Sequence, residues 1–388
     1  MALPLSYNIR NLRVRWQVTL LAVMGIALVV SALAVLMAMS EGFATALRST
    51  GRKDNAIIVQ RGSASELTSG VPIDQRNLIV VDDRIARDAD GQPIMSPEWV
   101  IVLSLPKQDG QPTNVTLRAI THQGIDVRGG VSLVDGRLFT PGLDEVVVGE
   151  RLVERLQGIA IGRTVKYQRK EFKIVGVFAS QGGAFESEIW GDFDVLGQEF
   201  QRGAGSNSLV VRMKDPSQVP ALDRWIRAQP QMQLQAIEER KYYEDQAGPL
   251  ARSLKALAYF VAFVMGIGAV FGAMNTMYAI VAQRTREVGT LRALGFKRRS
   301  ILLAFVLESL FLALIGGGIG CLLAFPMNGF STGTGQTQSF SEIAFAFRIT
   351  PQVVMSGLVL AALLGILGGL LPALRASRLP IATALREA

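Results

Sequence analysis

Few residues in this chain are of a type and spacing that could do chemistry. Four acids, Glu186, Glu188, Asp192 and Asp194, lie close enough in sequence to share a Ca²⁺ ion or to act as a general acid and base. Phe185, Ile189, Trp190 and Phe193 interleave with them, which is the pattern of a partly buried loop or hairpin with structural acids. The single histidine, His122, falls at the edge of an expected strand without a cysteine partner. Neither a zinc site nor a Ser/His triad can be assembled around it. The single cysteine, Cys321, lies in an apolar run beside Gly316, Gly317, Gly318 and Gly320, a packing position. No Gly-x-x-x-x-Gly-Lys-Ser/Thr pattern occurs, so the chain carries no P-loop. Two polar side chains, Asn275 and Glu308, stand inside apolar runs, where a polar group marks a functional position by default. For Glu308 two readings are open: an interhelical hydrogen bond that fixes packing, or a contact with nearby basic residues.

Those basic residues form the most patterned stretch of the chain, residues 283 to 299. Arg284, Arg286, Arg292, Lys297, Arg298 and Arg299 face one acid, Glu287. Val288, Leu291 and Leu294 recur every third position and give a short helix one apolar stripe. Gly295 follows as the expected C-cap. The stretch lies between the apolar runs Ala256–Ala282 and Ile301–Met327, so both of its ends are tied to membrane helices.

The elements that hold this stretch follow from length and charge. Of the residues, 49% are hydrophobic and only 7% aromatic, and long apolar runs account for the difference. Two further runs, Val18–Met39 and Val353–Leu374, bring the total to four, each long enough to cross a hydrocarbon core of ~30 Å as a helix. The first is too long for a signal-peptide core and is expected to be a retained anchor. Arginine and lysine mark cytoplasmic loops. Arg10, Arg13 and Arg15 put the N-terminus inside, the 283–299 loop belongs inside, and Arg375, Arg378 and Arg386 put the C-terminus there too. About 210 residues from Glu41 to Leu250 then lie on the far side. The net charge of +8 is thus a matter of topology, which excludes nucleic acid as the partner.

The segments expected are residues 1–16, cytoplasmic and amphipathic; spans at 17–40, 253–282, 301–327 and 351–374; an outer domain at 41–252; the cytoplasmic loop 283–300; a short outer loop 328–350; and a cytoplasmic tail 375–388. The fold class is an α-helical membrane protein with four transmembrane helices and a large mixed α/β outer domain. Strands are expected at 56–60, 78–81, 99–105, 115–120, 145–148, 164–167, 171–178 and 209–213, with helices at 150–156 and 219–228. Residues 41–47 and 236–252 read as stalk helices that extend the first two spans. Cysteine is absent from the outer domain, which must fold on its own core without disulfides. Glycines in the spans (Gly266, Gly268, Gly272, Gly316–Gly320, Gly365, Gly368 and Gly369) allow close helix approach.

At this point a resemblance becomes specific. The stretch Gly266 to Met277, the loop 283–299 and Leu307-Glu-Ser-Leu resemble the FtsX/MacB family of ABC-transporter permeases, also called type VII. Asn11-Leu-Arg, Ser40-Glu-Gly-Phe, Pro372-Ala-Leu-Arg-Ala-Ser-Arg-Leu-Pro and Ala384-Leu-Arg resemble that family's ends. Asp135-Gly-Arg-Leu-Phe, Glu145-Val-Val-Val-Gly-Glu and Phe172-Lys-Ile-Val-Gly-Val-Phe are similar to its MacB-like periplasmic core, in the expected order.

The resemblance implies Porter-like and Sabre-like subdomains on the stalks, an inner-membrane location and a periplasmic outer domain. It also implies a second permease copy, identical or paralogous, and a separate cytoplasmic ABC ATPase that binds the ATP and Mg²⁺. A periplasmic adaptor and an outer-membrane channel are further partners that it suggests. The loop would be a coupling helix seated in the ATPase, with Arg284, Arg286, Glu287, Val288, Gly289, Leu291, Arg292, Leu294 and Gly295 at the joint. ATP-driven motion would then work the outer domain, an arrangement called mechanotransmission. The expected function is export or extraction of a substrate by a chain without catalysis of its own. Lipoprotein release and FtsX-type control of a cell-wall hydrolase share the architecture.

Overall fold

The computed structural model describes residues 16–167, 170–201, 203–335 and 341–380. The expected N-terminal amphipathic segment and the last eight residues of the tail lie outside the described residues. The chain divides into two compact units. A globular unit comprises Gly42–Leu250 and Ser331–Ala346; a helical unit comprises Met1–Glu41, Ala251–Phe330 and Phe347–Ala388.

Helix α1 runs from Trp16 to Arg48 and ends where Gly51 takes a left-handed φ of 78°. The globular unit is then built on β1 (Asn55–Gln60), α2 (Ile73–Val80), β2 (Met95–Pro106), β3 (Pro112–Ile120) and α3 (His122–Arg128). These are followed by β4 (Ser132–Gly136), β5 (Glu145–Gly149), α4 (Glu150–Arg155), β6 (Thr164–Tyr167) and β7 (Lys170–Ala179). Next come β8 (Glu188–Asp192), α5 (Phe193–Glu199), β9 (Ser208–Arg212), α6 (Val219–Ala228) and β10 (Leu234–Glu238). One mixed sheet joins the strands in the order β10-β1-β9-β2-β3-β8-β5-β7-β4, with β6 against β7. The pairs β3–β8 and β5–β7 are parallel and the rest antiparallel.

The long strand β2 carries two lobes on one sheet. Its first residues, Met95 to Glu98, pair with β9, and Trp99 to Pro106 pair with β3. On one side Ile58, Leu209, Val211 and Leu234 pack under α2 and α6 with Ile79, Leu222 and Ile226. On the other, Leu103, Leu117, Val148, Phe172, Ile174, Ile189 and Leu196 form a second core. Burying each such side chain contributes about 1.5–3 kcal/mol, so both lobes have cores of their own without a disulfide. Helix α6 shows the pattern at work. Val219, Leu222 and Ile226 fall on one face and are buried, while Asp223 and Arg227 pair across one turn on the other at 2.7 Å.

The stretch 78–81 is not a strand. Leu78, Ile79 and Val80 are the last residues of the helix α2 and Val81 is its C-cap, and only Ile79 among them is buried. A short apolar run fits either element, and here a Pro72 start and Asp74 in the first turn favour helix. Strand β10 precedes the stalk at a place read as all helical.

Helix α7 then runs unbroken from Glu239 to Gln283, 45 residues with Pro249 inside. It is followed by α8 (Thr285–Ala293), α9 (Arg298–Ala324), the strands β11 (Ser331–Gly335) and β12 (Glu342–Ala346), and α10 (Pro351–Arg378). Four helical segments are long and apolar enough to cross a membrane: Leu20–Arg48, Glu239–Gln283, Arg298–Met327 and Pro351–Arg378. Within the helical unit, glycine decides how closely they pack. A Cβ on Gly316 would lie 2.8 Å from the Val23 carbonyl oxygen, and one on Gly320 2.6 Å from that of Ala27. On α10, Gly365 and Gly369 would meet Ala313 and Ser309 at 2.5 Å. Larger residues would drive these helices apart. The segment 328–350 is more than a loop, because β11 and β12 form an antiparallel hairpin that belongs to the globular unit.

Candidate functional site

The basic stretch ends as expected at Gly295, and its face is partly covered by the chain's own helices. Helix α8 closes in a Schellman motif: Gly295 takes φ 93°, its N–H donates to the Arg292 carbonyl, and Phe296 N–H donates to that of Leu291, both at 3.1 Å. Only glycine takes that backbone conformation without strain.

The apolar stripe is divided. Val288 is buried among Met277, Ile280, Val281, Ile301, Phe305, Ala373 and Ala376, which are the feet of α7, α9 and α10. Gly289 is buried as well, and Leu291 is half-buried. Leu294 is 73% exposed, and Arg286 and Glu287 are exposed beside it. Val288 and Gly289 are the buried part of the helix. They bind α8 to its own helices, because the three apolar feet leave a slot that the stripe fills.

Charge locks the same joint. The Arg284 guanidinium donates to Glu308 Oε2 at 2.8 Å and to Glu287 Oε2 at 3.0 Å, and it lies 5.1 Å over the Phe305 ring. Arg284 and Glu308 are both buried. Of the two readings of Glu308, the contact with the basic loop is the one observed. Arg292 donates to the Ser377 carbonyl at 2.9 Å, which ties α8 to the end of α10. Helix α8 is thus fastened to all three neighbouring helices, while Arg286 and Leu294 stay exposed. Asn275 is brought to none of this. It lies exposed on α7, with no hydrogen-bond partner among the described residues, and Gly268 and Gly272 on the same helix have open space where a Cβ would stand.

Three of the four acids flagged in the globular unit have structural partners, and the fourth, Asp194, is exposed in the first turn of α5. Glu186 accepts from Arg151 and from the backbone N–H groups of Ser180 and Gly182. Asp192 caps α5, accepting from Val195 N–H at 3.0 Å. Glu188 accepts from Arg118 and from Trp190 Nε1–H at 2.7 Å. Among the described residues no cluster of His, Cys, Asp and Glu could hold a metal. His122 opens α3 instead of ending a strand, and its ring stands edge-on to Phe139 at 6.5 Å.

Sequence reasoning missed a buried ionic network. Arg118 on β3 donates to Glu66, Glu98 and Glu188, and Arg128 at the end of α3 donates to Glu98, Glu239 and Tyr243. Every guanidinium hydrogen of Arg118 is used. Glu239 is the first residue of α7, so the helix is rooted in this network. The carboxyl of Glu66 is fully buried, but Arg118, Arg128 and Ser208 hold it well below the usual carboxylate value. Burial pushes the Glu239 carboxyl up, against which Arg128, Asn55 and the Arg52 N–H all donate. One signal was available: Arg118 interrupts the apolar run Val115–Ile120 at a position facing the interior.

A chain with four membrane-length helices, a short helix locked under three of them and a two-lobed α/β unit has the plan of a transport permease. Two families match it. The MacB-like periplasmic core domain matches residues 19–229, more than half of the 388, and the FtsX-like permease C-terminal domain matches 259–381. The chain belongs to the FtsX/MacB-like permeases. Among its relatives is the macrolide export ATP-binding/permease protein MacB of Brucella abortus, 27% identical over 59% of this chain and 35% of that protein. The MacB of Hahella chejuensis is 26% identical over 95% of this chain and 58% of that protein. The chain therefore spans only part of the length of these relatives. Among solved structures, the periplasmic region of MacB from Actinobacillus actinomycetemcomitans is 15% identical and covers 52% of this chain and 96% of that one, with a TM-score of 0.38. The extracellular domain of the transporter YknZ is 17% identical, with 47% of this chain and 99% of that one covered and a TM-score of 0.36.

Proposed function

We propose that this chain is the permease of an ABC transporter in the bacterial inner membrane. A partner ATPase would bind ATP and Mg²⁺ and drive its globular unit, on the periplasmic side, to export or extract a substrate. The observation that carries the reading is the joint at α8. A helix fastened by Val288, Arg284 and Arg292 to α7, α9 and α10 passes any force on its exposed face to three membrane helices at once. The exposed face, with Arg286, Glu287 and Leu294, is the docking surface for the ATPase, and α9 and α10 move with it.

A second permease copy completes the assembly. Its support is Asn275, a self-complementary amide left unpaired within a membrane helix, beside two glycines open to close approach. A periplasmic adaptor with an outer-membrane channel would extend the route for an exported substrate. The test is purification of the full chain from its native membrane in mild detergent. An ABC ATPase that co-purifies, and whose ATP turnover changes on reconstitution with the chain, is the expected result. Isolation with no ATPase at any stoichiometry sinks the reading.

A further inference from the structure

The hairpin β11–β12 is joined by chain to α9 and α10 of the helical unit, yet its contacts belong to the globular unit. One carboxylate dominates those contacts. Glu342, the first residue of β12, pairs with Lys107 Nζ at 2.8 Å, with Arg155, and with the Thr113 hydroxyl. Lys107 follows β2, Thr113 lies on β3 and Arg155 ends α4, so three separate elements grip one side chain. The backbone of the next residues is held too. Arg151 donates to the Ala344 carbonyl at 2.8 Å, and Ala344 N–H donates to Ser187 Oγ at 2.9 Å. Phe345 is fully buried and stands edge-on to Phe43 with ring centroids 5.6 Å apart. A Cβ on Gly42 would lie 2.1 Å from the Ala346 carbonyl oxygen, so glycine there is needed for the hairpin to seat.

A connection between two membrane helices needs only to turn the chain round. This one places three cationic or hydroxyl partners on an acid and buries an aromatic ring. We propose that the hairpin is a third tether, beside the two stalk helices, through which α9 and α10 move the globular unit, and that Glu342 is its latch. The proposal rests on the permease reading for its direction of use, but the latch itself is a property of this chain. The grip is electrostatic and lies outside the spans. Its partners hold the Glu342 carboxyl below the usual carboxylate value against the opposing effect of burial, so the latch stays charged at neutral pH.

The test uses the full chain in lipid nanodiscs, with and without its ATPase. In the chain alone, Glu342→Arg places like charge against Lys107 and Arg155. Amide exchange of β12 should rise by about tenfold or more while that of β1 and β9 holds. Adding Lys107→Glu and Arg155→Glu should restore the wild-type rate. Unchanged exchange in Glu342→Arg overturns the latch. In the complex, Glu342→Arg should keep ATP hydrolysis within about twofold and lower export by about tenfold, with rescue by the same reversed pair. Wild-type export from a chain whose hairpin has been shown by exchange to be released overturns the tether. The Glu342→Gln variant, which keeps the shape and loses the charge, should fall between the two. A wild-type complex that binds an ATPase but moves nothing counts against the permease reading and leaves the exchange result standing on its own.

Discussion

Arg284 and Glu308 form a buried ion pair across 24 positions of sequence, with the guanidinium 2.8 Å from the carboxylate and stacked over Phe305. Glu287 takes a second guanidinium hydrogen at 3.0 Å, and the pair joins the residue before α8 to a position about three turns into α9. Both side chains of the pair are buried, so removing either leaves the other charge shielded from bulk solvent.

Breaking that pair has an expected signature. Arg284→Leu or Glu308→Leu alone leaves a buried charge and should destabilise the helical unit by about 3–5 kcal/mol. The double replacement removes both charges and should recover most of the loss. Thermal unfolding of the four variants in nanodiscs gives the coupling energy, and single variants as stable as wild type would contradict the buried pairing.

The two sides of α8 should separate assembly from folding. Leu294→Asp and Arg286→Glu change exposed positions and should leave expression and melting temperature unchanged, with affinity for the ATPase lowered about tenfold. Val288→Asp puts a charge among Ile301, Phe305 and Ala373 and should abolish folding. Quantitative co-purification checks both. An ATPase bound equally well by Leu294→Asp and Arg286→Glu would place the docking surface elsewhere.

Asn275 offers a test of self-association. Replacement by leucine removes the amide without loss of bulk, and interhelical hydrogen bonds of this kind contribute about 0.6–2 kcal/mol in membranes. Energy transfer between labelled copies in proteoliposomes should show a dimer weakened several-fold. Equal association of Asn275→Leu and wild type removes this residue from the interface.

The network around Arg118 sets an acid limit. Glu66 has its carboxyl held below the usual value of 4.5 by Arg118 and Arg128. A carboxyl depressed on folding stabilises above its unfolded value, and the contribution is lost as pH falls through the folded one. Stability of the globular unit should therefore be flat above about pH 5 and fall steadily below pH 4.5. Trp190, hydrogen-bonded to Glu188 within the network, is the reporter. In Glu66→Gln the same transition, followed by tryptophan fluorescence, should shift and lose steepness. An unaltered acid limb would mean that other carboxylates set it.

Much of this was legible in advance, for a physical reason. Apolar runs of twenty residues and loop arginines obey rules local in sequence, so the spans and the basic loop could be read directly. Gly295 as a cap was equally local, since one residue must adopt the left-handed conformation. The cover over Val288 was not legible, because a stripe says only that a helix has an apolar face, while what packs on it is set by the fold. The pairing of Glu342 with Lys107, and of Arg118 with Glu66 and Glu98, joins residues far apart in sequence, and no spacing encodes it. Residues 78–81 failed for want of length, since four apolar positions suit helix and strand alike.

Helix α7 begins at Glu239, inside one buried charge system, and ends at Gln283, one residue before Arg284 in the other. Its two ends belong to different units. Slipping it by a single residue would turn it about 100° and carry Glu239 away from Arg128, Asn55 and Arg52 at one end and the chain to Arg284 out of register at the other. Charge thus sets the rotational register of the helix at each end by itself, through Glu239 in the globular unit and through Arg284 in the helical one.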